Sequence, residues 1–138
     1  MRIVADTNVI LSAFLWGGTP RQLLDAAEAG RLELFTSREI IAELEDVLSR
    51  EKFATSLGKT RFTAAYLLAR YTQLAALIVP AEITVPELRD PKDLPILACA
   101  LAAKAHCIVS GDAHLLNLKY YQRIPILDAT RAMKSLVR

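Results

Sequence analysis

Residues 2–15 read "RIVADTNVILSAFL", and the change of rhythm inside them decides the fold. "RIVA" (2–5) is a short apolar run suited to a buried strand, whereas "NVILSAFL" (8–15) spaces its apolar residues as a helix does. The same alternation recurs outward along the chain. After the break "WGGTP" (16–20), "PRQLLDAAEAG" (20–30) reads as a helix with proline in its first turn and Gly30 at its end. "LELFTS" (32–37) alternates like a strand. Ser37 stands where it can cap "REIIAELEDVLSR" (38–50), whose Ile40, Ile41, Leu44, Val47 and Leu48 form one apolar stripe. A polar stretch, "EKFATSLGKT" (51–60), precedes a long helix predicted over 61–77, and "AEITVPELRDPKD" (81–93) is a proline-marked loop. Then come a buried helix "LPILACALAAKA" (94–105), a strand "CIVSG" (107–111), a helical turn "DAHLLNL" (112–118), a strand "IPILD" (124–128) and a last helix "ATRAMKSLV" (129–137). Strands separated by helices demand right-handed crossovers, which predicts a three-layer α/β/α sandwich around a central parallel sheet, one domain over 1–138.

Composition sets the outer bounds. A chain of 138 residues and 15.2 kDa is the size of one domain with a real core. Charged residues recur throughout, so no apolar run approaches the ~18–20 residues of a membrane span. Asp6 and Asn8 interrupt the one stretch that could imitate a signal peptide. Cys99 and Cys107 are too few for a disulfide framework, and a reducing cytoplasm is the expected setting. The net charge of +2 neither demands nor excludes a nucleic-acid partner.

In such sheets ligands gather outside the carboxyl ends of the strands. Asp6 ends the first strand and Asp112 follows "CIVSG" in the same sense, so both project from one edge. If those strands are neighbours, the two carboxylates reach one metal ion. Either residue could instead be a plain N-cap. Asp93 stands at or near the start of the buried helix and Asp90 in the loop before it, where capping and solvation are the simpler roles. Within "REIIAELEDVL", Glu43 and Glu45 each lie roughly 100° from the centre of the apolar stripe, on opposite flanks, while Glu39 and Asp46 point further outward. Periodicity does not choose between Glu43 and Glu45, and a solvated acidic face accounts for all four.

Carboxylates crowded in a crevice repel one another and resist ionisation, a cost that a divalent cation removes. Oxygen-only donors suit Mg²⁺ or Mn²⁺. The chemistry that uses such a set is metal-assisted phosphodiester cleavage. Other constellations are weaker. Cys99, His106, Cys107 and His114 match no zinc-finger spacing, and the signatures of P-loops, dinucleotide-binding turns and α/β-hydrolase elbows are missing from the sequence. A phosphoacceptor receiver would place paired acids after the first strand, where Asp6 stands alone. Arg50, Lys52, Lys59 and Arg61 against Glu51 make a local basic stretch, either an RNA-backbone contact or a solvated helix surface. Trp16 could stack on a base, although packing in the core or at an interface is the simpler reading.

Taken together, "ADTNV", "SREIIAELEDVL" and "DPKDLPILACALAAKAHCIVSGDAHLL" resemble the PIN-domain family, in particular the VapC-like ribonuclease toxins of toxin–antitoxin pairs. The resemblance covers nearly the whole chain in the expected order. It implies a Mg²⁺- or Mn²⁺-dependent endoribonuclease, often homodimeric, often inhibited by a cognate antitoxin protein. Residue by residue, the family's acids fall on Asp6, Glu43, Asp93 and Asp112, which resolves the choice against Glu45. Asp90 takes the accessory position of "DPKD", and Thr7, Asn8 and Ser110 take supporting polar positions. Asp6, Asp93 and Asp112 would hold the ion, with Glu43 completing the site or orienting the attacking water, and cleavage would leave a 5′-phosphate and a 3′-hydroxyl. The competing class is a catalytically silent PIN-like module that binds protein or RNA.

Overall fold

The computed structural model describes residues 1–50, 55, 57–58, 63–85 and 91–137. Its centre is a six-stranded sheet of order β3-β2-β1-β4-β6-β5, built from β1 (Arg2–Ala5), β2 (Glu33–Thr36), β3 (Ala76–Leu77), β4 (Cys107–Val109), β5 (Tyr120–Tyr121) and β6 (Ile124–Leu127). β1 pairs in parallel with β2 on one side, Val4 opposite Phe35, and with β4 on the other, Ala5 opposite Val109. The condition set for Asp6 and Asp112 is therefore met: their strands are neighbours.

Among the described residues seven α-helices flank the sheet: α1 (Thr7–Leu15), α2 (Gly18–Glu28), α3 (Arg38–Leu48), α4 (Ala64–Leu74), α5 (Leu94–Ala103), α6 (Ala113–Leu118) and α7 (Ala129–Val137). α5 lies against β1, β2 and β4 and packs with α3, which in turn meets α4. α1 packs on α2, and α2 on α7, which covers β4 and β6. The core is continuous from strand to helix. Ile3, Val4 and Ile108 are wholly buried, and α3 delivers Ile40, Leu44, Val47 and Leu48 from the stripe read in the sequence. Each such aliphatic side chain contributes roughly 1.5–3 kcal/mol on burial. α5 is apolar on most sides because it is covered on most sides, with Ile96, Leu97, Ala98, Cys99 and Ala100 all buried.

The helix starts follow their caps. Asp6 accepts from the Val9 amide at 2.9 Å, Ser37 from the Ile40 amide at 3.3 Å, Thr63 from the Tyr66 amide at 3.1 Å and Asp112 from the His114 amide at 2.9 Å.

The structure corrects the sequence reading in several places. The helix expected to run to Leu77 stops at Leu74, and Ala75 turns extended so that Ala76–Leu77 can pair with Phe35–Thr36. Ala and Leu favour helix locally, but β2 would otherwise carry an open edge, and its pairing prevails. The sheet is not wholly parallel, because Tyr120–Tyr121 adds an antiparallel edge strand to β6. α2 begins at Gly18 rather than at Pro20. Trp16 is 60% exposed within this chain, which removes the core reading and leaves an interface or a stacking role. Of the basic stretch, Arg50 pairs with Asp46 at 3.1 Å, and Glu51, Lys52, Lys59 and Arg61 lie outside the described residues. No helix among the described residues is long and apolar enough to cross a membrane.

Candidate functional site

The carboxyl ends of β1 and β4 meet at a pair of hydroxyl and carboxylate side chains. Beyond Ala5 the chain leaves the sheet at Asp6, whose amide donates to the Val109 carbonyl at 3.0 Å. Beyond Val109 it leaves at Ser110, whose amide donates to the Leu127 carbonyl at 2.9 Å. Each residue is thus held by the strand beside it. Asp6 is 6% exposed and Ser110 is wholly buried.

Asp6 uses both carboxylate oxygens. Oδ1 accepts from the Val9 amide as the cap of α1, and Oδ2 accepts from the Ser110 hydroxyl. The same Ser110 oxygen accepts from the Asp112 amide at 3.0 Å, so one hydroxyl ties the two acidic turns together. Capping and site geometry are here one arrangement: the bond that caps α1 also fixes the plane of the carboxylate.

Burial raises the pKa of Asp6, the bonds from Ser110 and Val9 oppose that rise, and the negative charges of Asp112 and Glu43 add to it. Glu43 is half-buried on α3 whereas Glu45 is exposed, so the structure separates the two residues that the helical wheel left equivalent. Glu39 and Asp46 are also exposed, as their wheel positions predict.

Asp93 ends a 3₁₀ turn (Pro91–Asp93) and immediately precedes α5. It makes no side-chain cap bond to that helix, so the simple cap reading fails for it, and its half-buried carboxylate has an inaccessible Oδ2. Since α5 runs back to feed β4, its start lies at the same end of the sheet as Asp6. Asp90 lies outside the described residues. Thr7 is buried, and its hydroxyl has no hydrogen-bond partner among the described residues; Asn8 is exposed on the first turn of α1.

Among the described residues no group of three or more His, Cys, Asp or Glu side chains is drawn close enough to hold an ion by itself. The donor set nevertheless fits a hard divalent cation. It consists of oxygens, it concentrates negative charge on a buried carboxylate, and Mg²⁺ commonly uses only one or two carboxylates and completes its shell with water and phosphate oxygens. The cysteines do not compete for this role. Burial pushes the Cys99 thiol up to about 12 and the Cys107 thiol up to about 11, leaving neither as a thiolate near neutrality. His106 is occupied at the opposite end of the sheet, where its Nδ1 accepts from the Arg2 amide at 2.7 Å.

Two features escaped the sequence reading. Tyr71 of α4 is fully buried, and its phenol is pushed upward by burial, with further contributions from Cys99 and Asp6. Nothing in the spacing of "YLLARYTQL" distinguishes it from an ordinary core residue. A cavity of ≈ 470 Å³ also opens at this end of the sheet, lined by Arg38, Glu39, Leu77, Ile78, Val79 and Pro80. It lies beyond β2, beside the strand β3 that the sequence did not reveal.

The fold is shared with a chain in the crystal structure of VapBC2 from Rickettsia felis bound to a DNA fragment from their promoter. That match has a TM-score of 0.58 at 14% sequence identity and covers 91% of this chain and 97% of that one. No curated protein sequence matches closely enough to be a relative. The family does emerge from the sequence itself: residues 2–114 match the PIN domain, which takes in β1, Asp6, Glu43, Asp93 and Asp112 alike, and the chain belongs to the PIN domain family.

Proposed function

We propose that the protein is a metal-dependent endoribonuclease that hydrolyses RNA phosphodiester bonds and serves as the toxin of a toxin–antitoxin pair in the cytoplasm. The observation that carries this reading is the buried Asp6 carboxylate, fixed by Ser110 and acted on by the charges of Asp112 and Glu43 at the carboxyl edge of the sheet. Membership of the PIN domain family supports the nuclease, and the likeness to a chain of a VapBC2 structure supports the toxin role.

Asp6, Asp93 and Asp112 are the residues that would hold Mg²⁺ or Mn²⁺, with Asp90 as an accessory. Bound there, the ion would supply charge neutralisation for the phosphodiester and a lowered pKa for the attacking water. The chain's own contribution is orientation. Ser110 and the Val9 amide present Asp6 in one conformation, and Ser110 holds the backbone of the Asp112 turn against it. Glu43, half-buried on α3, would complete the site or orient the attacking water. Thr7 and Asn8, on the first turn of α1, would help position the acids or the metal-bound waters. The partners that follow from this reading are an RNA substrate, a cognate antitoxin and a second copy of the chain.

The test is cleavage of end-labelled single-stranded RNA with Mg²⁺, Mn²⁺ or chelator, beside Asp6→Asn. Loss of cleavage in the variant and in chelator supports the reading, as does a 5′-phosphate on the product. A 2′,3′-cyclic phosphate would exclude this mechanism. The second reading, a silent binding module, requires that partner binding survive with no cleavage by either protein, on any RNA offered.

A further inference from the structure

The parallel strands separate two edges of opposite character. Asp6, Glu43, Asp93 and Asp112 belong to the carboxyl edge, while the amino edge collects cations. Arg2 opens β1, Arg31 lies two residues before β2, Lys104 closes α5 just before β4, and Arg123 immediately precedes β6. β2, β1, β4 and β6 are adjacent in that order, so the four cations form a row about 14 Å long, three strand spacings across. Arg2 is fixed within it: its Nε donates to the Lys104 carbonyl at 3.0 Å, and the His106 amide donates to the Arg2 carbonyl at 2.7 Å. Among the described residues Glu33 is the acid within this row. The nearby acids of α2 are engaged elsewhere, Asp25 with Arg21 at 3.3 Å and Glu28 with Arg70.

Two of these cations sit where the backbone favours glycine. Lys104 is the left-handed cap of α5 (φ 52°, ψ 48°), a position that glycine or asparagine usually fills. Gln122 and Arg123 form the turn between β5 and β6 with φ of 49° and 68°, a left-handed pair that Asn-Gly fits best. Long cationic side chains stand at both positions in spite of the strain, and both are exposed.

We infer that the amino edge of the sheet, through Arg2, Arg31, Lys104 and Arg123, is a second contact surface for single-stranded RNA, holding phosphates away from the acidic site. This rests on the ribonuclease reading above. A path joins the two edges along the outer strand: Arg123 at the turn, Tyr120 of β5, 64% exposed, exposed Lys119, and then α6, which Asp112 caps. An exposed aromatic among cations is what a single strand uses for stacking. The edges are about 13 Å apart, four strand residues. A flexible single strand can turn across that distance, whereas a duplex, stiff over about 150 base pairs, does not bend round so small a body.

The experiment compares wild type with Lys104→Gly/Arg123→Gly and with Lys104→Gln/Arg123→Gln. Binding of a labelled mixed-sequence single-stranded RNA and of a duplex DNA of equal length is read by fluorescence anisotropy in chelator across a salt series, and thermal unfolding is recorded for each protein. Two lost phosphate contacts lower the slope of log K against log salt by about 1.4, which weakens RNA binding ~25-fold at 0.1 M salt relative to the 1 M limit. Both variants should show that loss, while only the glycine pair should gain thermal stability. An unchanged slope in both overturns the inference. A duplex bound more tightly, with the same sensitivity, overturns the choice of occupant. Because binding is read without metal, patch-dependent binding by a protein that cleaves nothing would retire the nuclease reading alone.

Discussion

Ser110→Ala removes the one hydroxyl that joins both acidic turns. In the folded protein that oxygen donates to Asp6 Oδ2 and accepts from the Asp112 amide at 3.0 Å, at a site closed to solvent. A hydrogen bond to a charged group is worth about 1.5–3 kcal/mol and a neutral one about 1 kcal/mol, so the loss at neutral pH is about 2.5–4 kcal/mol. The sign of its pH dependence follows from Asp6. Its pKa already stands above the ordinary value because of burial, and Ser110 is the foremost influence holding it down. Without the hydroxyl, the folded pKa rises further, and the folded state binds a proton more readily than the unfolded one. Stability lost at neutral pH is therefore regained as pH falls through the folded pKa of Asp6. Urea unfolding in chelator, repeated from neutral to mildly acidic pH, measures both effects as a shift of midpoint at constant slope. A loss below about 0.5 kcal/mol, or one that grows on acidification, refutes the reasoning.

Glu43→Gln should reduce RNA cleavage by at least about 100-fold if Glu43 handles a proton, whereas Glu45→Gln on the exposed flank should stay within a factor of two; equal effects in single-turnover assays would return the pair to the tie left by the helical wheel. Tyr71→Phe deletes a buried hydroxyl with no hydrogen-bond partner among the described residues, so stability should hold or rise by up to about 1 kcal/mol, and a loss above that range in urea would reveal a bond to the phenol. Mg²⁺ should raise the thermal midpoint of wild type, with about 2.7 kcal/mol gained at a hundredfold excess over the dissociation constant, and should leave Asp6→Asn nearly unmoved.

What the sequence made legible was governed by local chemistry. Asp6, Ser37 and Asp112 announce helix starts because a short polar side chain satisfies free amides within three residues, and the structure uses all three in that way. The stripe of α3 and the apolar run of α5 were equally plain, since helical period and burial coincide there. What escaped depended on residues distant in the chain. Ala76 and Leu77 are good helix formers, and only the open edge of β2 makes them a strand. Tyr120 and Tyr121 pair through a Gln122–Arg123 turn that lacks the Asn-Gly signal of a tight hairpin. The candidate site divides along the same line. Its acids were visible as letters, and the Asp6 to Asp112 pairing followed from parallel strands. Spacing leaves Glu43 and Glu45 equivalent, and what separates them is their exposure on the folded α3, half-buried against exposed.

The most direct test of the central claim is the cleavage rate of single-stranded RNA by wild type and Asp6→Asn, purified identically, with Mn²⁺ or Mg²⁺ and with chelator. Cleavage by wild type should require the ion and disappear with the Asp6 carboxylate. Cleavage at full rate by Asp6→Asn, or undiminished in chelator, would contradict it.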